Sequence, residues 1–217
     1  MAPRPPKILI TAGPTREMID PVRFLSNLST GEMGYALARA AVSRGYHVSL
    51  VSGPTHLRPP KGVMFYSVTS AVEMKKVCME LFPDHDGLIM TAAVCDFMPA
   101  STGRHKIPSA KGLTLKLKRT PDILATLAKR KRRRIVIGFC LETRDLIPRA
   151  TEKLVRKKLD GIVANFYGSG CIPFGNRRVN VRLIDSVGAV QTIEDRSKAQ
   201  VARAILAWMT SMHQRGR

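Results

Sequence analysis

The chain has 217 residues, 44% of them hydrophobic and 24% charged, with 36 lysines and arginines against 16 aspartates and glutamates for a formal charge of +20. That size and apolar share suit one globular domain or two tightly joined ones and exclude intrinsic disorder, while 16 glycines and 14 prolines are too few for a fibrous repeat. No stretch approaches the roughly 20 apolar residues that span a bilayer, and the opening Met1-Ala-Pro-Arg-Pro-Pro-Lys7 lacks a signal-peptide core, so a cytoplasmic protein without membrane contact is expected.

After a flexible N-terminus (1–6), a near-continuous apolar run predicts a buried strand over 7–11, followed by a polar loop to Thr30. A helix over 31–44 carries Met33, Leu37, Ala40 and Ala41 on one face. Strands follow over 47–52 and 63–67, then a helix over 70–82 with Val72, Val77 and Leu81 aligned, then a strand over 87–94. A polar excursion over 97–111 runs into Leu113-Thr-Leu-Lys-Leu-Lys118, whose period of two marks a strand with one wet face, and residues 97–118 together read as a flap over a crevice. Pro121 starts a helix over 121–129, a strand over 135–140 follows, then a helix over 145–158 and a strand over 161–165. Residues 179–184 and 189–193, joined by Asp185-Ser-Val-Gly188, form a hairpin at the sheet edge. The last helix, 197–212, repeats Val201, Ala204, Ile205, Trp208, Met209 and Met212 as a stripe for the core or a dimer contact, and 213–217 is a basic tail.

This βα rhythm predicts a Rossmann-like α/β fold: a doubly wound, mostly parallel sheet with helices on both faces and a ligand crevice beyond the carboxyl ends of its strands. Cys78, Cys95, Cys140 and Cys171 lie far apart and read as reduced thiols, and the five histidines show no zinc-ligand spacing, so no protein-held metal is expected. The positive charge draws anions, whether nucleic acid, an anionic membrane or a phosphate-rich substrate. Its densest run, Lys129-Arg-Lys-Arg-Arg-Arg134, reads as a solvated helix end, where cations suit the dipole. A nucleic-acid-binding protein on a related fold is one alternative, but no aromatic cluster interleaves the basic residues to form a stacking platform. A nucleotide-dependent reductase is another, and here Gly-x-Gly-x-x-Gly is missing after the first strand while the second ends in Val51-Ser-Gly-Pro54 without a carboxylate.

The first loop is richer in chemistry. Thr15, Arg16, Arg23, Ser26, Asn27, Ser29 and Thr30 converge on a helix N-terminus, whose free N–H groups bind phosphate or carboxylate. The plainer reading has Ser29 or Thr30 capping that helix. Ile10-Thr-Ala-Gly-Pro-Thr-Arg-Glu17, Asp20-Pro-Val-Arg23, Ser26-Asn27 and Gly31-x-Met-Gly34 closely resemble the opening of the phosphopantothenate–cysteine ligase family, the synthetase half of the bacterial coenzyme A biosynthesis protein. The resemblance continues in order through Val51-Ser-Gly-Pro54, Ala92-Ala-Val-x-Asp96, Lys106-Ile107, Pro121-Asp-Ile-Leu124, Gly138-Phe139, Glu142-Thr143, Lys153 to Lys157, Leu159-Asp160 and Ala164-Asn165.

The resemblance implies CTP-dependent ligation of 4'-phosphopantothenate to L-cysteine through an acyl-cytidylate, with release of pyrophosphate and CMP. It assigns catalysis to Asn27, which holds the pantothenoyl group, and to Lys106, tied to phosphate binding and the cysteine step. It assigns nucleotide binding to Met90, Thr91, Ala92, Asp96, Lys106, Pro121, Asp122, Ile123, Leu124 and Phe139, with Lys153 and Lys157 gripping the phosphates, and substrate binding to Gly13, Arg23, Asn27 and Ala93. It also implies Mg²⁺ held through phosphate oxygens and water, a homodimer, and a stand-alone ligase without FMN, for which a separate decarboxylase is a further candidate partner. Three positions depart from the family's pattern: Lys106-Ile-Pro-Ser-Ala-Lys111 replaces a lysine run, leaving Lys111 or Arg104 as substitutes, Glu32 takes a lysine's place, and Phe166 follows Asn165 where an acidic residue is usual.

Overall fold

Alternating side chains build the central sheet. In β1 (Lys7–Ala12), Ile8, Ile10 and Ala12 turn to one face and Leu9 to the other, and all four are wholly buried. The computed structural model describes residues 4–108, 112–168 and 172–215. From β1 the chain passes through a hairpin, β2 (Arg16–Asp20) and β3 (Arg23–Ser26), into α1 (Glu32–Val42), β4 (His47–Ser52), β5 (Val63–Ser67), α2 (Ala71–Leu81) and β6 (Gly87–Met90). A second small pair, β7 (Phe97–Pro99) and β8 (Leu117–Arg119), precedes α3 (Ile123–Ala128), β9 (Ile135–Glu142), α4 (Leu146–Arg156) and β10 (Gly161–Phe166). The chain closes with β11 (Val179–Asp185), β12 (Val190–Arg196) and α5 (Lys198–Arg215).

Eight strands lie in the order β12-β11-β10-β9-β6-β1-β4-β5. The six from β10 to β5 pair in parallel, whereas β11 and β12 run antiparallel at one edge as the predicted hairpin. Chain order reverses between β1 and β6, where an open parallel sheet leaves a crevice at its carboxyl edge. One face is covered by α1 and α5, with Leu37, Ala41, Val201, Ile205 and Leu206 in its core. The other is covered by α2, α3 and α4, with Met74, Ile123, Leu127 and Leu154. Within the apolar stripe of α5, Val201 and Ile205 are fully buried in the chain's own core, and Trp208 and Met212 lie half-buried against it.

Three expectations change in detail. The strand predicted over 87–94 stops at Met90, because Thr91 Oγ1 donates to the Thr11 carbonyl at 2.6 Å and Ala92 N–H donates to Thr11 Oγ1 at 3.2 Å, drawing the chain out of the ladder. The polar loop after β1 contains the β2–β3 hairpin, its turn held by Asp20 Oδ1 accepting from the N–H groups of Val22 and Arg23 at 2.9 Å. Of the alternating run 113–118, Leu117 and Lys118 lie in a strand, paired with Pro99 and Met98. Lys111 and Cys171 lie outside the described residues. The basic run closes α3 as expected: Lys129 is the C-cap, Lys131 pairs with Asp160 at 2.6 Å, and Arg134 donates to the His85 carbonyl at 2.9 Å. Glu32, the departure at the start of α1, is held by Lys198 of α5 at 2.9 Å. Among the described residues no helix is long and apolar enough to cross a membrane.

Close approach of α1 to β1 rests on Gly34, where a Cβ would stand 2.5 Å from Ala12 Cβ and 2.7 Å from Thr91 Oγ1. Gly34→Ala is expected to lower stability by about 1–3 kcal/mol, the usual cost of overpacking, in urea unfolding. Wild-type stability in that variant would show that α1 can retreat from the sheet.

Candidate functional site

A seam of hydrogen bonds joins the exits of β1 and β6 and sets the floor of the site. Gly13 O accepts from Ala93 N–H at 2.9 Å, Thr15 N–H donates to Ala93 O at 3.3 Å, and Thr15 Oγ1 accepts from Cys95 N–H at 3.0 Å. Asn27, just past β3, donates through Nδ2 to the carbonyls of Ala93 and Val94, both at 3.1 Å. Two carbonyls facing one amide fix its orientation. Its N–H groups thus serve the chain's own backbone, and Oδ1 is the atom left to accept.

Beside this seam lies a cavity of about 980 Å³. It brings together most of the expected residues: Asn27; Met90, Ala92, Ala93 and Asp96 from the end of β6; Pro121, Asp122, Ile123 and Leu124 from the start of α3; Phe139 from β9; and Lys153 and Lys157 from α4. Carboxyl ends of parallel strands converge here with helix N-termini, which explains why residues so far apart in sequence meet. Thr91 lines a neighbouring cavity of about 170 Å³ together with Ala93 and Phe139. Gly13 lies under the floor as a buried acceptor for Ala93.

Arg23 and Lys106 stand outside the cavity's wall. Arg23 Nη1 donates to Asp20 Oδ2 at 3.1 Å and to the Ile107 carbonyl at 3.0 Å, while Ile107 N–H donates to Asp20 Oδ2 at 3.1 Å. Together with Gly103 N–H on the Ile19 carbonyl at 2.9 Å, these bonds clamp residues 103–107 onto the β2–β3 hairpin and place exposed Lys106 beside an anchored residue. Burial opposes ionisation of Asp20, but the N–H groups of Val22, Ile107 and Arg23 and the Arg23 guanidinium outweigh it, holding the carboxyl below its ordinary value.

Carboxylates hold the cations of α4. Lys153 Nζ is 2.5 Å from Glu142 Oε1, and Lys157 Nζ is 2.9 Å from Asp122 Oδ2. Asp122 also caps α3, accepting from Ala125 N–H at 3.0 Å. Burial raises its pKa, yet the Ala125 N–H and the Lys157 ammonium prevail and keep it below the ordinary range. Cys140 lines the crevice, but burial pushes its thiol up to about 12, with Lys153 opposing and Glu142 adding, so it keeps its proton at neutral pH. Burial likewise pushes Cys78 up to about 12.

Several lining residues escaped the sequence reading. Arg149 sits four positions before Lys153, a helical spacing that could have flagged it, and Thr120 Oγ1 bonds the Cys95 carbonyl at 2.5 Å. Tyr167 and Phe174, whose ring centroids are 5.8 Å apart, carry no sequence signal for their meeting. The smaller cavity contains the start of α1, where Gly31 at φ 80 is the N-cap and no side chain caps the helix, so neither Ser29 nor Thr30 does so. Asn165 Oδ1, in the same cavity, is buried without a hydrogen-bond partner among the described residues, an acceptor available to a ligand donor. Among those residues no group of three His, Cys, Asp or Glu could cage a metal. With Asp122 committed to Lys157, this donor set fits a divalent cation carried on ligand phosphates and water.

Residues 4–212 match the family described as DNA/pantothenate metabolism flavoprotein C-terminal domain. The chain is 45% identical over 201 residues to the Coenzyme A biosynthesis bifunctional protein CoaBC of Bacillus subtilis, covering 92% of this chain and 50% of that protein. It is 42% identical over 203 residues to a protein of an unknown prokaryotic organism named Cysteine/Cysteine sulfinic acid decarboxylase, covering 92% of this chain and 56% of that one. The chain thus spans about half the length of the curated relatives it matches. Its fold is similar to a crystal structure of the C-terminal domain of a Coenzyme A biosynthesis bifunctional protein CoaBC, with a TM-score of 0.83, 39% identity and 96% of each chain covered.

The clamp on Ile107 depends on an ionised Asp20. Because its folded pKa lies below the ordinary 3.8, the tie is at full strength above that value and is lost as the pH falls through the lower folded value. Asp20→Asn is expected to bring the same loosening to neutral pH, read as faster hydrogen exchange at Ile107 and faster proteolysis within 100–108. Wild-type exchange in the variant would remove Asp20 from that role.

Proposed function

The chain belongs to the DNA/pantothenate metabolism flavoprotein C-terminal domain family, and from that premise we propose that it is a phosphopantothenate–cysteine ligase that uses CTP. One observation carries the reading: a single crevice is walled by Asn27, by the Ala92–Asp96 turn and by the cations of α4. A carboxylate does not condense with an amine in water at a useful rate. It first attacks the α-phosphate of CTP, forming an acyl-cytidylate and releasing pyrophosphate; the amine of cysteine then attacks the acyl carbon, CMP leaves, and the amide forms. Both steps gather negative charge, so preset cations and amide dipoles are the fitting catalysts.

In this reading Asn27 Oδ1 accepts from the pantothenoyl group and orients its acyl end. Ala92, Asp96 and Phe139, with the start of α3, border the cytidine, while Lys153 and Lys157, each aimed by its carboxylate partner, turn their remaining N–H groups to triphosphate oxygens. Asn165 Oδ1 and the uncapped start of α1 offer an acceptor and donors to the same ligands. Lys106, next to the clamped Ile107, adds positive charge when the cysteine amine arrives. Mg²⁺, when bound, supplies further neutralisation of phosphate charge.

Purified protein given 4'-phosphopantothenate, Mg²⁺ and either CTP or ATP, with and without cysteine, is expected to release pyrophosphate with CTP and to form the cysteine adduct, followed by mass. Asn27→Asp sets a carboxylate against two backbone carbonyls and beside an anionic intermediate, and should slow adduct formation by about a hundredfold, the scale of one preorganised polar contact. Lys153→Ala and Lys157→Ala should each raise the CTP requirement by about tenfold while sparing that for cysteine. Folded protein that yields no pyrophosphate with either nucleotide would overturn the assignment. Light scattering on the same preparation reads the homodimer that belongs to this proposal.

A further inference from the structure

Glu142, the last residue of β9, has 7% of its side chain exposed, and both its oxygens are taken by α4. Lys153 Nζ lies 2.5 Å from Oε1 and Arg149 Nε lies 2.8 Å from Oε2. Arg149, Lys153 and Lys157 follow one another at intervals of four and border the same crevice, so they form one row along α4. Like charges at that spacing repel and would splay into solvent without a counter-charge. Glu142 removes this repulsion for the first two, and Asp122 holds the third at 2.9 Å.

Arg149 engages Glu142 through Nε. Its two Nη groups have no partner among the described residues, and 44% of its side chain is exposed. A guanidinium fixed at Nε presents its remaining N–H groups in a rigid fork, which matches two oxygens of a phosphate better than an ammonium does. A nearly buried carboxylate beneath one exposed and one half-buried cation is thus arranged to hold both in place for a second anion.

We propose that Arg149 is a further phosphate-binding residue of the crevice, acting beside Lys153 and Lys157 on the polyphosphate end of a nucleoside triphosphate. Glu142 is its positioning residue, holding Arg149 and Lys153 as a preset pair without itself touching the ligand. This rests on the ligase reading and adds to it a cation and the group that aims it.

The test uses the full chain as wild type, Arg149→Ala, Arg149→Lys and Glu142→Gln. Calorimetric titration with Mg–CTP and with inorganic tripolyphosphate is read alongside the KM for each substrate. Arg149→Ala is expected to weaken both probes about tenfold, the scale of losing a hydrogen bond to a charged group. The KM for CTP should rise by the same factor with kcat and the KM for cysteine unchanged, and Arg149→Lys should recover part of the loss. Glu142→Gln should raise the KM for CTP by a smaller factor, again sparing kcat. Arg149→Ala that binds tripolyphosphate and CTP like wild type, or that loses affinity for all three substrates alike, overturns the role of Arg149. An unchanged KM for CTP in Glu142→Gln overturns the positioning role. In both cases wild-type pyrophosphate release leaves the ligase reading standing, whereas wild type that takes up neither probe and releases no pyrophosphate ends both.

Discussion

The arrangement on which the rest of this molecule depends is the seam where β1 and β6 leave the sheet together. Backbone groups that quit a ladder inside a protein need new partners, and here Thr11 and Thr15 supply them, their hydroxyls accepting from Ala92 and Cys95 N–H groups. The seam ends β6 early, opens the crevice at the reversal of strand order, and exposes the Ala93 and Val94 carbonyls that orient Asn27. Substituting either threonine by a residue without a hydroxyl would leave a backbone donor stranded at the base of the site.

A second constraint is electrostatic. Cationic side chains gathered along one crevice push each other apart and need counter-charges to stay in place. This chain meets the difficulty with carboxylates at the ends of regular elements: Glu142 closes β9 and Asp122 opens α3, and each faces a lysine of α4. The arrangement gives up some net positive charge in the crevice and gains fixed positions for the cations it keeps. The segment before Ile107 follows the same logic, where Asp20 and Arg23 fix Ile107 and leave the neighbouring Lys106 exposed.

Much of this was legible in advance. Hydrophobic periodicity marks the parallel strands, the α5 stripe and the edge hairpin, because burial repeats every two residues in a strand and about every 3.6 in a helix whatever the partner. The ordered motifs from Ile10 to Asn165 marked the family and most of the residues that now line one cavity. The β2–β3 hairpin was missed because its strands are short and rich in polar side chains, and its turn is set by one aspartate rather than by Asn-Gly or Asp-Gly.

By itself, then, the sequence determined the layer architecture, the succession of elements and the residue types gathered at the carboxyl edge of the sheet, since each is written in local pattern. Tertiary structure alone decided which groups are already engaged and which are free: Arg23 is committed to Asp20 and Ile107, Asn27 has spent its donors, Lys153 and Lys157 are held by acids, and Asn165 Oδ1 is left open. Those pairings join residues as far as 84 positions apart in the chain. Local pattern carries no record of them, because hydrogen bonds and ion pairs depend on distances of a few ångström that exist only once the sheet has brought its edges together.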